Sequence, residues 1–335
     1  MEIVIRPYVQ TFIDWAKDKP KVLVLSADLT NSCEVGKWQE TYPDRFFSMG
    51  MAEQNLMGFA AGLAREGFYP YVHTFAVFIY RRPYDQLAMS IAYPNLPVRL
   101  MGFLPGIMTP GGVTHQAIED VALMRATPNM TVLETGDATD VETVLDVAQA
   151  VDGPVYVRML RGEVPRLFAK GERMIFNQAR VLSEGDDVAI LTAGITTEEA
   201  MRAIPVLAGA GIKATHLHIS THKPFTDPTV LETLKRVKHG VITLENHTIV
   251  GGLGSAVAEL MAEEGIGKRL VRLGLRDTYA HGASKAYLMK TYQLDALALV
   301  RGVEKLMDRE TGIGEADLAA VRIEAFHSQA KAEAL

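Results

Sequence analysis

Short apolar runs alternate along the chain with longer stretches of helical period, which predicts an α/β protein built on parallel sheet. Residues 21–25 (KVLVL) predict a buried strand that ends at Ser26-Ala27-Asp28-Leu29-Thr30. Residues 45–49 predict a second short strand, and 52–66 an apolar, glycine-spaced helix. Strands at 69–74, 98–103 and 131–134, a helix at 140–151 and a strand at 155–159 continue the series. Together they predict a first α/β domain over residues 1–165. Gly162, Pro165, Gly171 and several charges then break the pattern, and residues 166–186 are expected to form a linker. A second α/β series starts at Asp187 (DVAILTAG), with strands at 214–219 and 240–245 and helices at 197–209, 253–264 and 294–307. The second domain is thus expected over 187–310. Residues 311–335 form a tail in which the charged, alanine-rich stretch 315–335 predicts a surface helix.

The length of 335 residues fits two domains at about 150 each, and 48% hydrophobic with 22% charged residues excludes wholesale disorder. The net charge of −6 argues against a protein built to bind nucleic acid or an anionic membrane. It leaves small anionic ligands open, because local arginines hold a phosphate whatever the total. The single cysteine, Cys33, excludes an intrachain disulfide and a cysteine-based zinc site and suits a reducing compartment. Residues 1–10 lack the basic start and apolar core of a signal peptide. No apolar run reaches the roughly 18 residues of a membrane span. A soluble cytoplasmic protein is expected.

Candidate chemistry begins at Met49-Gly-Met-Ala-Glu53-Gln-Asn, where Glu53 opens the glycine-spaced helix. A carboxylate there interacts favourably with the helix dipole, so capping alone would account for it. Downstream, however, come His73-Thr-Phe75-Ala-Val-Phe78 on the loop after a strand, and the glycine-rich turn Thr109-Pro-Gly-Gly-Val-Thr-His115-Gln116. Core packing would explain either aromatic, and helix capping would explain His115. It is their conjunction in this order and spacing that points to a site.

These residues carry a family resemblance. MGMAEQNLMGFAAGLAREGFYPYVHTF, from Met49, resembles the pyrimidine-binding domain of thiamine-diphosphate enzymes of the transketolase and deoxyxylulose-phosphate synthase group. SADLTNS, from Ser26, and GGVTHQAIEDVALMRATPNM, from Gly111, are similar to the SADL and GPTHQ segments of transketolases. LENHTIVGGLGSAVAE, from Leu244, is similar to the transketolase C-terminal domain. The resemblance implies that Glu53 is the glutamate that hydrogen-bonds the coenzyme's aminopyrimidine and shares a proton with it, promoting the thiazolium ylid. It implies that Phe75 and Phe78 flank that ring, that Asp28 lies on the coenzyme side, and that His115 stands near the reacting carbonyl. Arg6, Ser32 and Arg161 match positions that hold the sugar phosphate.

Transketolases bind the coenzyme diphosphate through a divalent ion, Mg2+ or another, using a Gly-Asp-Gly motif and an asparagine on an N-terminal domain. This chain has no such motif, and no metal ligand is expected from it. Gly251-Gly-Leu-Gly254 misses a dinucleotide fingerprint because its third position is Val257. The resemblance therefore implies the C-terminal subunit of a split transketolase, active with a diphosphate-binding partner in an A2B2 assembly. Its substrates would be sugar phosphates. Two positions depart from the family. Four residues before His115, an aspartate that reads a sugar hydroxyl is replaced by Gly111. Twelve residues before it, a histidine is replaced by Phe103. Loss of a hydroxyl reader predicts a branched or modified ketose phosphate donor, such as apulose 4-phosphate. Two other readings are a 2-oxo acid dehydrogenase β subunit and a non-catalytic assembly subunit. The THQAIEDVALMRATPNM run weighs against the first, and Glu53, Phe75, Phe78 and His115 against the second.

Overall fold

The computed structural model describes residues 2–321. In chain order its strands are β1 (Ile3–Ile5), β2 (Val22–Ser26), β3 (Phe46–Ser48), β4 (Tyr69–Phe75), β5 (Arg99–Phe103), β6 (Thr131–Glu134) and β7 (Val155–Met159). These are followed by β8 (Glu163–Pro165), β9 (Arg180–Ser183), β10 (Val188–Thr192), β11 (Ala214–His218), β12 (Thr221–Lys223), β13 (Gly240–Thr248) and β14 (Arg269–Leu275). One sheet has the order β12-β6-β7-β5-β4-β2-β3 and the other β14-β13-β10-β11-β9. Within each, every pairing is parallel except that of the edge strands β12 and β9.

The apolar runs form strands because parallel strands covered by helices on both faces are buried at every position. β2, β5, β6 and β7 show this directly. β10 shows the period of two. Val188 and Ile190 enter the core shared with the first sheet, whereas Ala189 and Leu191 enter a second core on the far face.

The segment expected to be a plain linker is structured. Arg180–Ser183 forms β9, which pairs antiparallel with β11 and closes that sheet's edge. Just before the linker, β8 pairs with β1 at Ile3↔Pro165. The boundary at 187 is also crossed in space, because β12 leaves the second domain and adds to β6 of the first sheet. In the tail the described helix is Glu315–Ala320, and residues 322–335 of the predicted helix lie outside the described residues.

A buried ionic cluster braces the two domains. The Arg158 guanidinium, on β7, donates to Asp120 Oδ2 at 2.8 Å and Glu134 Oε1 at 2.7 Å. It also donates to the carbonyls of Ala117 at 3.3 Å and Asn246 at 3.0 Å. His222, on β12, completes the cluster with Nε2 2.7 Å from Glu134 Oε2. Burial alone would push the Glu134 carboxyl up, but Arg158 and His222 overrule it and hold it down to about 2. Glu134 thus remains ionised far into acid.

Candidate active site

Five loops that follow parallel strands meet at the carboxyl ends of the first sheet, the usual place for a ligand in such sheets. Residue pairing puts Ser26 level with His73, and Phe75 level with Phe103 and Met159. Asp28 follows β2, Glu53 follows β3, Phe75 ends β4, His115 lies beyond β5 and Arg161 follows β7.

Glu53 reaches this edge through a tight turn. Gly50 adopts φ +68°, which favours a residue without Cβ, and the Ala52 N–H donates back to Gly50 O at 2.7 Å. The helix Glu53–Arg65 then starts at the glutamate itself. Its carboxylate is 4% exposed and accepts from Arg82 Nη1 at 2.5 Å. The guanidinium comes from the loop after the helix Ala76–Tyr80.

Phe75 and Phe78 lie at a centroid separation of 6.1 Å with planes 23° apart. The His115 ring stands edge-on to both, at 6.2 and 5.5 Å. Arg82 lies over Phe78 with Cζ 4.1 Å from the centroid, and Arg161 lies 5.8 Å from Phe75. The structure therefore brings Glu53, Phe75, Phe78, His115 and Arg161 together.

The expected anion-binding residues also converge. Arg161 Nη1 donates to the carbonyl of Ser32, and the Arg6 N–H donates to Gly162 O at 2.7 Å. Arg6 is exposed at the N-terminus of the helix Pro7–Trp15. Asp28 is exposed in a left-handed turn just past β2.

Several positioning residues were not foreseen. Arg81 donates from Nε and Nη2 to both Glu119 oxygens, at 2.8 and 2.9 Å. It also donates to the carbonyls of Val113 at 2.9 Å and Gln116 at 3.1 Å, so one fork pins the turn that carries His115. From the second domain, Asn246 accepts from the Ile107 N–H at 2.9 Å and donates to Pro105 O at 3.1 Å. Thr248 N–H donates to Ile118 O at 2.8 Å. The LENH segment is thus a brace for the His115 loop. Its neighbour Glu245 accepts from the N–H groups of Leu253 and Gly254 at 2.7 and 2.9 Å. Those bonds occupy the helix start that a nucleotide phosphate would need. Burial pushes the Glu245 carboxyl up to about 7, against the pull of those two bonds.

The two departures fare differently. Phe103 is fully buried, with its ring 6.0 Å from His73 and 5.6 Å edge-on from Tyr8. It is a core residue beneath the site and not a pocket wall, because an apolar ring gains more from burial than from the wet edge. His73 belongs to the same core. Burial pushes it down to about 3, and as a neutral ring it donates from Nδ1 to Tyr71 O and accepts from the Tyr8 hydroxyl at 2.8 Å. Gly111 does lie at the site. A Cβ there would meet His115 at 3.1 Å, so the glycine seats the histidine as well as leaving space.

Comparison with known proteins agrees with the architecture. Residues 7–166 match the transketolase pyrimidine-binding domain and residues 177–298 the transketolase C-terminal domain. A transketolase family protein of Sinorhizobium fredii is 37% identical over 90% of this chain and 88% of its own length. A 6-deoxy-6-sulfo-D-fructose transketolase subunit of a Clostridium species is also 37% identical, over 90% of this chain and 94% of its own. A solved split-gene transketolase, described as an inactive beta4 tetramer, superposes with a TM-score of 0.82 at 37% identity. That match covers 90% of this chain and 97% of the other.

Proposed function

Because the chain belongs to the transketolase family, whose coenzyme is thiamine diphosphate, we propose that it is one half of a two-polypeptide transketolase. The reaction is transfer of a two-carbon ketol unit from a ketose phosphate to an aldose phosphate. The observation that carries this reading is the buried Glu53 carboxylate at the sheet mouth, linked through Arg82 to Phe78, which packs with Phe75 and His115. A flat, nitrogen-edged guanidinium already lies on Phe78 and on that carboxylate, so the space suits a flat nitrogen-edged ring.

When bound, thiamine diphosphate supplies the carbon nucleophile. Glu53 holds a nitrogen of the pyrimidine and shares its proton, while Phe75 and Phe78 flank the ring and Asp28 lies on the coenzyme side. His115 donates to, or moves a proton at, the donor's carbonyl oxygen. Arg161, Ser32 and Arg6 receive the donor's anionic end. The relative named for sulfofructose indicates that such an end can be a sulfonate in that protein.

The diphosphate and its Mg2+ belong to a partner polypeptide bearing the Gly-Asp-Gly motif, in an A2B2 complex. Met51 is 78% exposed and Phe59 38% exposed on and beside the helix that Glu53 opens, apolar surface of the kind a second polypeptide covers. Among the described residues no helix is long and apolar enough to cross a membrane. A lone, buried cysteine, Cys33, suits the cytoplasm, where we place the complex.

Reconstitution tests this directly. Mixed with a Gly-Asp-Gly-bearing partner from the neighbouring reading frame, the chain is expected to bind thiamine diphosphate with Mg2+ and turn over ketose phosphates. Tight binding and turnover by the chain alone would overturn the two-polypeptide reading.

Donor choice gives a second prediction. The complex is expected to prefer apulose 4-phosphate to xylulose 5-phosphate. Gly111→Asp restores a carboxylate that reads a hydroxyl, and should move the ratio of the two kcat/KM values about ten-fold towards xylulose 5-phosphate. Absolute turnover should fall, because the new Cβ presses on His115 at 3.1 Å. A strong preference of the unmodified complex for xylulose 5-phosphate would refute the donor assignment.

A further inference from the structure

We propose that Arg82 is the counter-ion of Glu53 and is exchanged for the coenzyme's pyrimidine when the coenzyme binds. The inference rests on the thiamine-diphosphate reading of Glu53. A carboxylate that is 4% exposed needs a partner whenever the coenzyme is not bound, since an unpaired buried charge is strongly destabilising. Arg82 provides one, with Nη1 2.5 Å from Glu53 Oε1. Its planar head also lies over Phe78, with Cζ 4.1 Å from the ring centroid.

A guanidinium in this position presents a flat face to an aromatic ring and an N–H edge to a carboxylate. The pyrimidine of thiamine diphosphate needs the same ring and the same carboxylate. The two compete for the same carboxyl group and the same ring face.

The local build allows the exchange. Arg82's carbonyl accepts from Gln54 Nε2 at 3.3 Å, and its neighbour Arg81 is pinned through four hydrogen bonds. The backbone is therefore held while the Arg82 side chain, 51% exposed, can swing its head into water. Adjacent arginines thus divide the work. Arg81 fixes the His115 loop, and Arg82 guards the glutamate. Coenzyme affinity is lowered by the fraction of time the guanidinium occupies the carboxylate.

The test is calorimetric titration of thiamine diphosphate with Mg2+ into the reconstituted complex carrying Arg82, Arg82→Lys or Arg82→Gln. Arg82→Gln is expected to bind about five- to ten-fold more tightly than the unmodified complex, and Arg82→Lys to fall between. In parallel, Arg82→Gln should lower the melting temperature of the chain without coenzyme and leave that of the loaded complex unchanged. Unchanged or weakened coenzyme affinity in Arg82→Gln would overturn the exchange, because Arg82 would then be a bystander or a ligand of the coenzyme. Absence of binding by every form, the unmodified complex included, would instead overturn the thiamine-diphosphate reading itself.

Discussion

Glu53→Gln is expected to lower turnover of the reconstituted complex by roughly 10²- to 10⁴-fold, the usual contribution of a positioned proton-transfer group. The substitution keeps the shape of the side chain and its place at the first turn of the Glu53–Arg65 helix. What it removes is the capacity to exchange a proton with a ring nitrogen. Coenzyme affinity should therefore change less than turnover. Exchange of the coenzyme's thiazolium C2 proton with deuterium, followed by NMR, should slow in proportion to kcat. The free variant should remain folded, because the partner left behind, Arg82, is half-exposed and recovers its hydration. Turnover within ten-fold of the unmodified complex would show that the carboxyl group is a helix cap and no more.

The largest expected effect on stability is at Arg158. Arg158→Met replaces the guanidinium by an apolar chain that fits the same space and leaves Asp120 and Glu134 buried without their cation. Breaking a buried pair in this way costs about 3–5 kcal/mol. At this chain size that corresponds to a melting temperature lower by roughly 4–7 °C. The loss should also reach the site, because Arg158 holds the Ala117 carbonyl two residues from His115. Adding Glu134→Gln to Arg158→Met should recover part of the stability, since one stranded charge is removed. Equal stabilities of the single variant and the unmodified protein in urea unfolding would contradict the ionic cross-brace.

Many of the strands and helices in the fold carry local apolar signals that the sequence shows directly. Residues 21–25 anticipate β2 (Val22–Ser26), and 52–66 anticipates the helix Glu53–Arg65, each within a residue or two. Among the elements the apolar pattern passes over, β14 and the helices Pro7–Trp15 and Pro228–Arg236 are of ordinary length, whereas β1, β8, β9 and β12 are short and depend on distant partners. β1 and β8 have three residues each and exist because Ile3 meets Pro165. β12 forms by adding to β6, and β9 by adding to β11. No local periodicity marks β1, β8, β9 or β12, whose stability comes from the strand each one joins.

The site divides along the same line. Glu53, Phe75, Phe78, His115 and Arg161 stand in the sequence at turns after predicted strands, and a parallel sheet must gather such turns at one edge. That much is written in the order of residues. Arg82 against Glu53, Arg81 across the His115 turn, Asn246 against the 105–107 loop and Arg158 between two carboxylates are set by the folded chain alone. The same holds for Phe103, which the linear motif places among the site residues and the packing places in the core. Apolar period and turn chemistry act between near neighbours and are legible one segment at a time. Which charge faces which depends on contacts spanning, for Asn246, some 140 residues, and these exist only once the two sheets have packed together.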